Sequence, residues 1–146
     1  MNGGFDMELN QCINFMLNAA QNTVFQYFSH KLSQYNITPA QYGVLNCLWS
    51  YGELTPKRIS ELLFLEASSI SGILDRMQKN DLIERNIHPD NRRVIIVTST
   101  TKADSFRHHL EDIVREMNIK YMAALSDEEK QIFTSALKKI IDIDKK

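Results

Sequence analysis

The sequence predicts a mainly α-helical chain with one small β-hairpin wing: a winged helix-turn-helix flanked by N- and C-terminal dimerisation helices. Three observations carry this. Two short helical segments follow each other over residues 55–80. The run Val94-Ile95-Ile96-Val97 is β-branched throughout and follows a second extended stretch, 82–88, across a turn. Long segments with apolar residues at helical spacing lie on either side of this unit.

Residues 6–35 lack Pro and Gly and read as one long helix. Ile13, Leu17, Ala20, Val24, Phe28 and Leu32 form one stripe, and Cys12, Phe15, Met16, Ala19 and Tyr27 add a second apolar flank. A surface helix of a single domain usually has one stripe. The extra flank favours cover by a second molecule, although a deep position in a single core has the same pattern. Thr38-Pro39 follows as an N-cap with proline at the first helical position, and Tyr42, Leu45, Leu48 and Trp49 give the next helix its core face. Tyr51-Gly52-Glu53 ends it.

Thr55-Pro56 repeats the same start signal for a helix reaching 64. The following helix, 67–80, has Ile70, Ile73, Leu74 and Met77 on one side, leaving Ser68, Ser69, Ser71, Gly72, Asp75, Arg76 and Lys79 for solvent or a ligand. One of the three serines is expected to serve as its N-cap. After the hairpin, Thr100 or Thr101 can cap a long helix to 124 with Phe106, Leu110, Ile113, Val114, Met117 and Tyr121 as its apolar positions. Ser126 with Glu129 forms a capping box. The final helix is expected to bury Ile132, Phe133, Ala136, Leu137, Ile140 and Ile141.

At 146 residues, 43% hydrophobic and 24% charged, the chain has the size and composition of one globular domain that needs no staples. The net charge of −1 rules out a global field for nucleic acid, so any such binding must use local charge. Cys12 and Cys47 are too few for a disulfide framework or a thiolate zinc site. No run approaches a membrane span, and no signal-peptide pattern opens the chain, so the expectation is a cytoplasmic protein with no membrane partner. Five glycines, no nucleophile elbow, no phosphate loop and no HExxH argue against an enzyme, and no cofactor is expected.

The residues exposed by this pattern suit duplex DNA. Hydroxyls on Ser68, Ser69 and Ser71, beside Gly72, can bond bases or phosphates, and Arg76 can take a phosphate or a guanine unless a neighbouring carboxylate holds it. Arg92 and Arg93, at the hairpin tip with Asp90, suit a narrow, electronegative minor groove, unless Arg92 pairs with Asp90. Lys57 and Arg58, at the start of the first short helix, suit phosphates. His108-His109 point to different faces of a helix, which argues against a metal site.

The chain closely resembles the MarR family of bacterial transcriptional regulators over nearly its whole length. The matching segments are Asn36-Ile37-Thr38-Pro39-Ala40-Gln41-Tyr42, Val44-Leu45, Leu48-Trp49, Ile59-Ser60 with Leu62, Ser68-Ser69-Ile70-Ser71, Leu74-Asp75-Arg76-Met77, Leu82-Ile83-Glu84-Arg85 and the wing motif Asp90-Asn91-Arg92. The departures are Asp81 and Ala103, where the family favours Gly, and Ser99, where it has an apolar residue. Asp81 is tolerable because Asp can adopt a positive φ. The resemblance implies one MarR-type domain over 1–146. In it, 38–100 is the winged helix-turn-helix, and 1–37 with 101–146 forms the helical dimerisation region. It also implies a homodimer, more often a repressor, reading a pseudo-palindrome in double-stranded DNA. A small aromatic or phenolic ligand is expected to relieve binding. Tyr27, His30, Tyr35, Trp49 and Arg58 are chemically suitable to line its pocket.

Two rival readings stand beside this one. Some relatives carry a peroxide-sensing cysteine on the N-terminal helix, which makes Cys12 a redox candidate. Cys12 is offset by about half a turn from that position, Phe28 and Pro39 replace the tyrosines that bond the sensing thiolate, and no base lies near it in sequence. Both cysteines are therefore read as buried structural residues. The other rival is a winged-helix protein-interaction module that never binds DNA.

Overall fold

The computed structural model describes residues 8–145. Its helices are α1 (Ile13–Leu32), α2 (Pro39–Tyr51), α3 (Pro56–Leu63), α4 (Ala67–Lys79), α5 (Thr101–Met122) and α6 (Asp127–Asp142). Its strands are β1 (Ile83–His88) and β2 (Asn91–Ser99), between α4 and α5. Short 3₁₀ turns occupy Leu9–Gln11 and Ser33–Tyr35.

Local side-chain chemistry accounts for most helix starts. Thr38 Oγ1 accepts from the Gln41 N–H at 3.2 Å while Gln41 Oε1 accepts from the Thr38 N–H at 3.1 Å, a reciprocal box that satisfies two end donors of α2. Thr55 accepts from the Arg58 N–H, Thr100 from the Ala103 N–H, and Ser126 exchanges the same pair of bonds with Glu129. Those bonds from Ser126 hold the exposed Glu129 carboxyl below its ordinary pKa.

The N-terminal segment departs from the expected single helix. Cys12 is extended (φ −94°, ψ 115°) and separates the first 3₁₀ turn from α1, so the helix proper begins at Ile13. Asn10 and Cys12 are weak helix formers, and no side chain caps this end. Residues 6 and 7 of the expected helix lie outside the described residues.

The core is contributed by every element from the last turn of α1 to the middle of α5. Leu32, Val44, Leu45, Ile59, Leu74, Met77, Leu82, Ile83, Val97 and Leu110 are all essentially inaccessible. β1 and β2 pair antiparallel from Ile83↔Ser99 to Ile87↔Ile95. Beyond Ile87 the register breaks and His88 pairs with Asn91, so Arg92, Arg93 and Val94 bulge from the tip. Leu54 adds a one-residue bridge to Val97, with bonds of 3.2 and 2.7 Å, which joins the wing to the loop before α3.

The outer helices differ. α1 and α5 lie against each other, with the Tyr27 and Tyr121 rings edge to face at 5.6 Å. Yet Ile13, Phe15, Met16 and Leu17 are exposed on α1. On α6, where the sequence predicted burial of Ile132, Phe133, Ala136, Leu137, Ile140 and Ile141, no residue is buried: Ile132 is 61% exposed and Ile141 50%. The stripe is there, but this chain alone does not cover it.

Candidate nucleic-acid interface

Helix α4 sits with Ile70, Leu74 and Met77 in the core. Those three fix its rotation, so Ser68, Ser69, Ser71, Asp75 and Arg76 face solvent and Gly72 is half-buried among them. None of the serines is the cap expected from the sequence. The N-cap is Glu66 (φ −69°, ψ 151°), whose side chain makes no capping bond, so all three hydroxyls lie inside the helix on its open side. A Cβ added at Gly72 would meet nothing within 4 Å, so the protein itself does not require glycine there.

The turn ahead of α4 is tight. Phe64 ends α3 with φ 55°, ψ 42°, a left-handed conformation unusual for a bulky residue, and its side chain is exposed. Nothing local in the sequence signalled this.

A second link joins α4 to the wing. Arg85 on β1 pairs with Asp75 (Nη2 to Oδ1, 2.7 Å) and donates from Nε to Gln78 at 2.6 Å. Arg85 falls in the segment Leu82-Ile83-Glu84-Arg85 that resembles the family, but its sequence context does not signal this contact. The contact neutralises the carboxylate that lies on the exposed face of α4. Arg76 makes no ion pair among the described residues.

At the wing tip, the Asp90 N–H donates to His88 Nδ1 (3.0 Å) and the Arg93 N–H donates to Asn91 Oδ1 (3.1 Å). These bonds hold the turn. No Arg92–Asp90 ion pair is present among the described residues, and both arginines are exposed. On α3, Lys57 is exposed while Arg58 pairs with Glu61 at 3.2 Å. A cleft of about 460 Å³ runs between α3, α4 and β1, with Ile70 and Leu74 in its floor and Lys57, Ser71 and Arg85 at its edge.

The far end of α4 is tied to the start of α5. Lys102 Nζ donates to the Asn80 carbonyl at 2.9 Å, and Thr100 Oγ1 donates to the Asp81 carbonyl at 2.7 Å. Asp81 has φ 59°, the positive value anticipated where relatives favour glycine. One turn along α5, Asp104 Oδ1 accepts from the Trp49 indole N–H (2.8 Å) and from the Ser99 hydroxyl (2.7 Å).

The five residues suggested for a ligand pocket sit among different neighbours. Tyr27 packs on Tyr121 beneath the ammonium groups of Lys31 and Lys120. Tyr35 stacks against His109, meets the Phe106 ring at a tilt of 56°, and borders a small cleft of about 170 Å³ with Lys102. Trp49 lies under Arg107, Arg58 is paired with Glu61, and His30 is exposed on α1. The structure does not draw them into one site.

Cys12 is half-buried rather than buried, because the extended residue at the start of α1 sits outside the core. Cys47 is buried, and burial raises its thiol pKa, against a smaller lowering by Arg58. His109 stacks on Tyr35 while His108 lies 3.5 Å from Asp112. Among the described residues, no three His, Cys, Asp or Glu gather as a metal site, and no helix is long and apolar enough to cross a membrane.

Residues 37–95 match the MarR family. The chain is 32% identical over 109 residues to YsmB, an HTH-type transcriptional regulator of Bacillus subtilis (strain 168), with 75% of each chain covered. It is 29% identical over 134 residues to the HTH-type transcriptional regulator MgrA of Staphylococcus aureus, covering 91% of this chain and 90% of that one. Its fold matches that of a mutant MarR from E. coli, complexed with operator DNA, with a TM-score of 0.83. That match has 21% identity and covers 92% of this chain and 99% of the other. The winged helix-turn-helix, its basic tip and its flanking helices therefore belong to a member of the MarR family, a family of transcriptional regulators rather than enzymes.

Proposed function

We propose that the protein is a homodimeric repressor that binds a pseudo-palindromic operator in double-stranded DNA through α4 and the wing. One observation carries the reading. Three hydroxyls and Arg76 lie on the open face of α4, and Arg92 and Arg93 bulge from the wing, every one of these side chains exposed and the arginines outside any ion pair among the described residues. A charged face with no internal purpose suits an external polyanion. Ser68, Ser69, Ser71 and Arg76 read the major groove, with Gly72 letting the duplex approach. Arg92 and Arg93 enter the minor groove, with Asp90 shaping the turn, and Lys57 and Arg58 hold phosphates. Net charge near zero is no obstacle, because binding draws on the local cations of this face rather than on the net charge.

The residues from 38 to 100 form the reading unit, and the helices before and after it form the dimerisation region. The uncovered apolar residues of α1 and α6 support that division. A small aromatic or phenolic ligand that binds better when the two α4 helices have the wrong separation relieves repression by population shift. Supporting features are the Tyr35 ring beside Lys102 and the Trp49 ring under Arg107.

The test is selection of bound sequences from random duplex DNA, repeated with aromatic acids. A recovered pseudo-palindrome whose affinity falls steeply with salt supports the reading. Arg92→Ala should weaken binding by roughly 1–3 kcal/mol. No complex at low salt would instead favour the protein-interaction module.

A further inference from the structure

The two strands of the wing are held to different bodies. β1 is tied to α4 through Arg85, which reaches Asp75 and Gln78. Besides its pairing with β1 and the burial of Val97, β2 has two hydrogen-bonded attachments. The first is the Leu54–Val97 bridge to the loop before α3. The second lies two residues further on, where the Ser99 hydroxyl donates to Asp104 Oδ1. That same oxygen accepts the indole N–H of Trp49 on α2, and the Arg107 guanidinium lies 5.5 Å from the centre of the indole ring.

We propose that Asp104 is a positioning residue for DNA recognition, setting the angle of the wing through its shared bond to Ser99 and Trp49. The inference rests on the DNA-binding reading above and goes beyond it, since Asp104 is not expected to touch DNA. The wing acts as a lever. The bridge to Leu54 and the buried Val97 side chain hold one point of β2, and the Ser99 bond to Asp104 holds a second, so that together they fix a line. At about 3.3 Å per residue, Ser99 stands roughly 7 Å from the pivot at Val97, and Arg92 roughly 17 Å on the other side. A displacement of about 1 Å at Ser99 therefore becomes roughly 2.5 Å at the arginine by that same rise, enough to lose a hydrogen bond to the groove.

The chemistry of the acceptor suits the task. A carboxylate gives both donors a charge-assisted bond and, in the first turn of α5, also gains from the helix dipole. Asp104 is exposed, so its removal leaves the core unchanged. Ser99 is one of the positions where the chain departs from the family pattern. Its hydroxyl supplies the wing's half of the clamp, which an apolar residue cannot.

The experiment measures affinity of the full chain for its selected duplex, beside thermal melting and the emission of Trp49, the only tryptophan. Asp104→Ala should bind about tenfold more weakly, as expected when a displaced wing arginine loses one charge-assisted bond to the groove. It should also shift the indole emission while the melting transition stays cooperative. Asp104→Asn, whose amide oxygen still accepts, should recover most of the affinity, and Ser99→Ala should lose about threefold by the same reasoning. The decisive comparison is with Arg92→Ala. If Asp104 acts through the wing arginine, its removal should cost less than about twofold in the Arg92→Ala background. Wild-type affinity in Asp104→Ala, or a loss that adds in full to that of Arg92→Ala, would overturn the proposal while leaving the DNA reading intact. If Asp104→Ala fails to fold, Ser99→Ala decides alone, and unchanged affinity there overturns the proposal. Absence of any wild-type complex would remove the DNA reading and this inference together.

Discussion

The winged unit and the outer helices use the same kinds of apolar residue to opposite effect. In the winged unit, large aliphatic side chains such as Leu45, Ile59, Leu74 and Ile83 close on one another and are nearly inaccessible. On α1 and α6, residues of equal size at equally regular spacing stay open, Ile13 at 62% and Ile132 at 61%. Periodic exposed patches of this kind are unusual on a monomer. The difference teaches that one region is a finished core and the other is half of one, completed in our account by a second copy.

The largest effect should come from placing a charge on the unfinished side. Ile132→Glu should weaken self-association at least about a hundredfold, roughly 3 kcal/mol, because a carboxylate would lie buried between copies. Sedimentation should then show one chain where wild type shows two, and an unchanged mass would break the comparison. Next comes the finished side. Leu74→Ala should cost about 2–5 kcal/mol in chemical denaturation by leaving a cavity in the core. Ile132→Ala in an isolated chain should cost far less.

Gly72→Ala is smaller and opposite in sign. With open space around a Cβ, the fold should gain about 0.5–1 kcal/mol from the better helix former, while DNA affinity falls where the duplex comes close. A gain in both would show that the duplex does not approach α4 at this residue. Least costly to the fold is the contrast between the cysteines. Cys12, half-buried in the single chain, should react with a thiol reagent faster than Cys47, which is buried and has a raised pKa and should react only after unfolding. In our reading Cys12→Ser leaves operator binding and its response to peroxide unchanged; a response lost with that thiol would instead support the redox-switched regulator.

What the sequence showed depended on range. Thr38, Thr55 and Ser126 are legible as caps, and Thr100 as one of two adjacent candidates, because a capping bond spans three residues and needs nothing from the rest of the fold. The wing was legible because Val94 to Val97 suit only a strand. The start of α4 misled: three serines look like a cap, yet the chain uses Glu66, because the Phe64 turn sets where the helix begins. The Leu54–Val97 bridge and the Trp49–Asp104 bond join residues too far apart for any spacing rule. The α6 stripe is legible as a stripe, but not what covers it, since periodicity marks an apolar face without saying which molecule lies against it. The exposed side of α4 was legible from the same periodicity, but Arg85's hold on Asp75 was not.

The most direct test of two copies reading one operator is the mass of the complex formed on a selected duplex, followed across a salt titration. A dimeric reader should place two chains per duplex on half-sites about one helical turn apart, with affinity falling steeply as salt rises. One chain per duplex, or no complex at low salt, would contradict it.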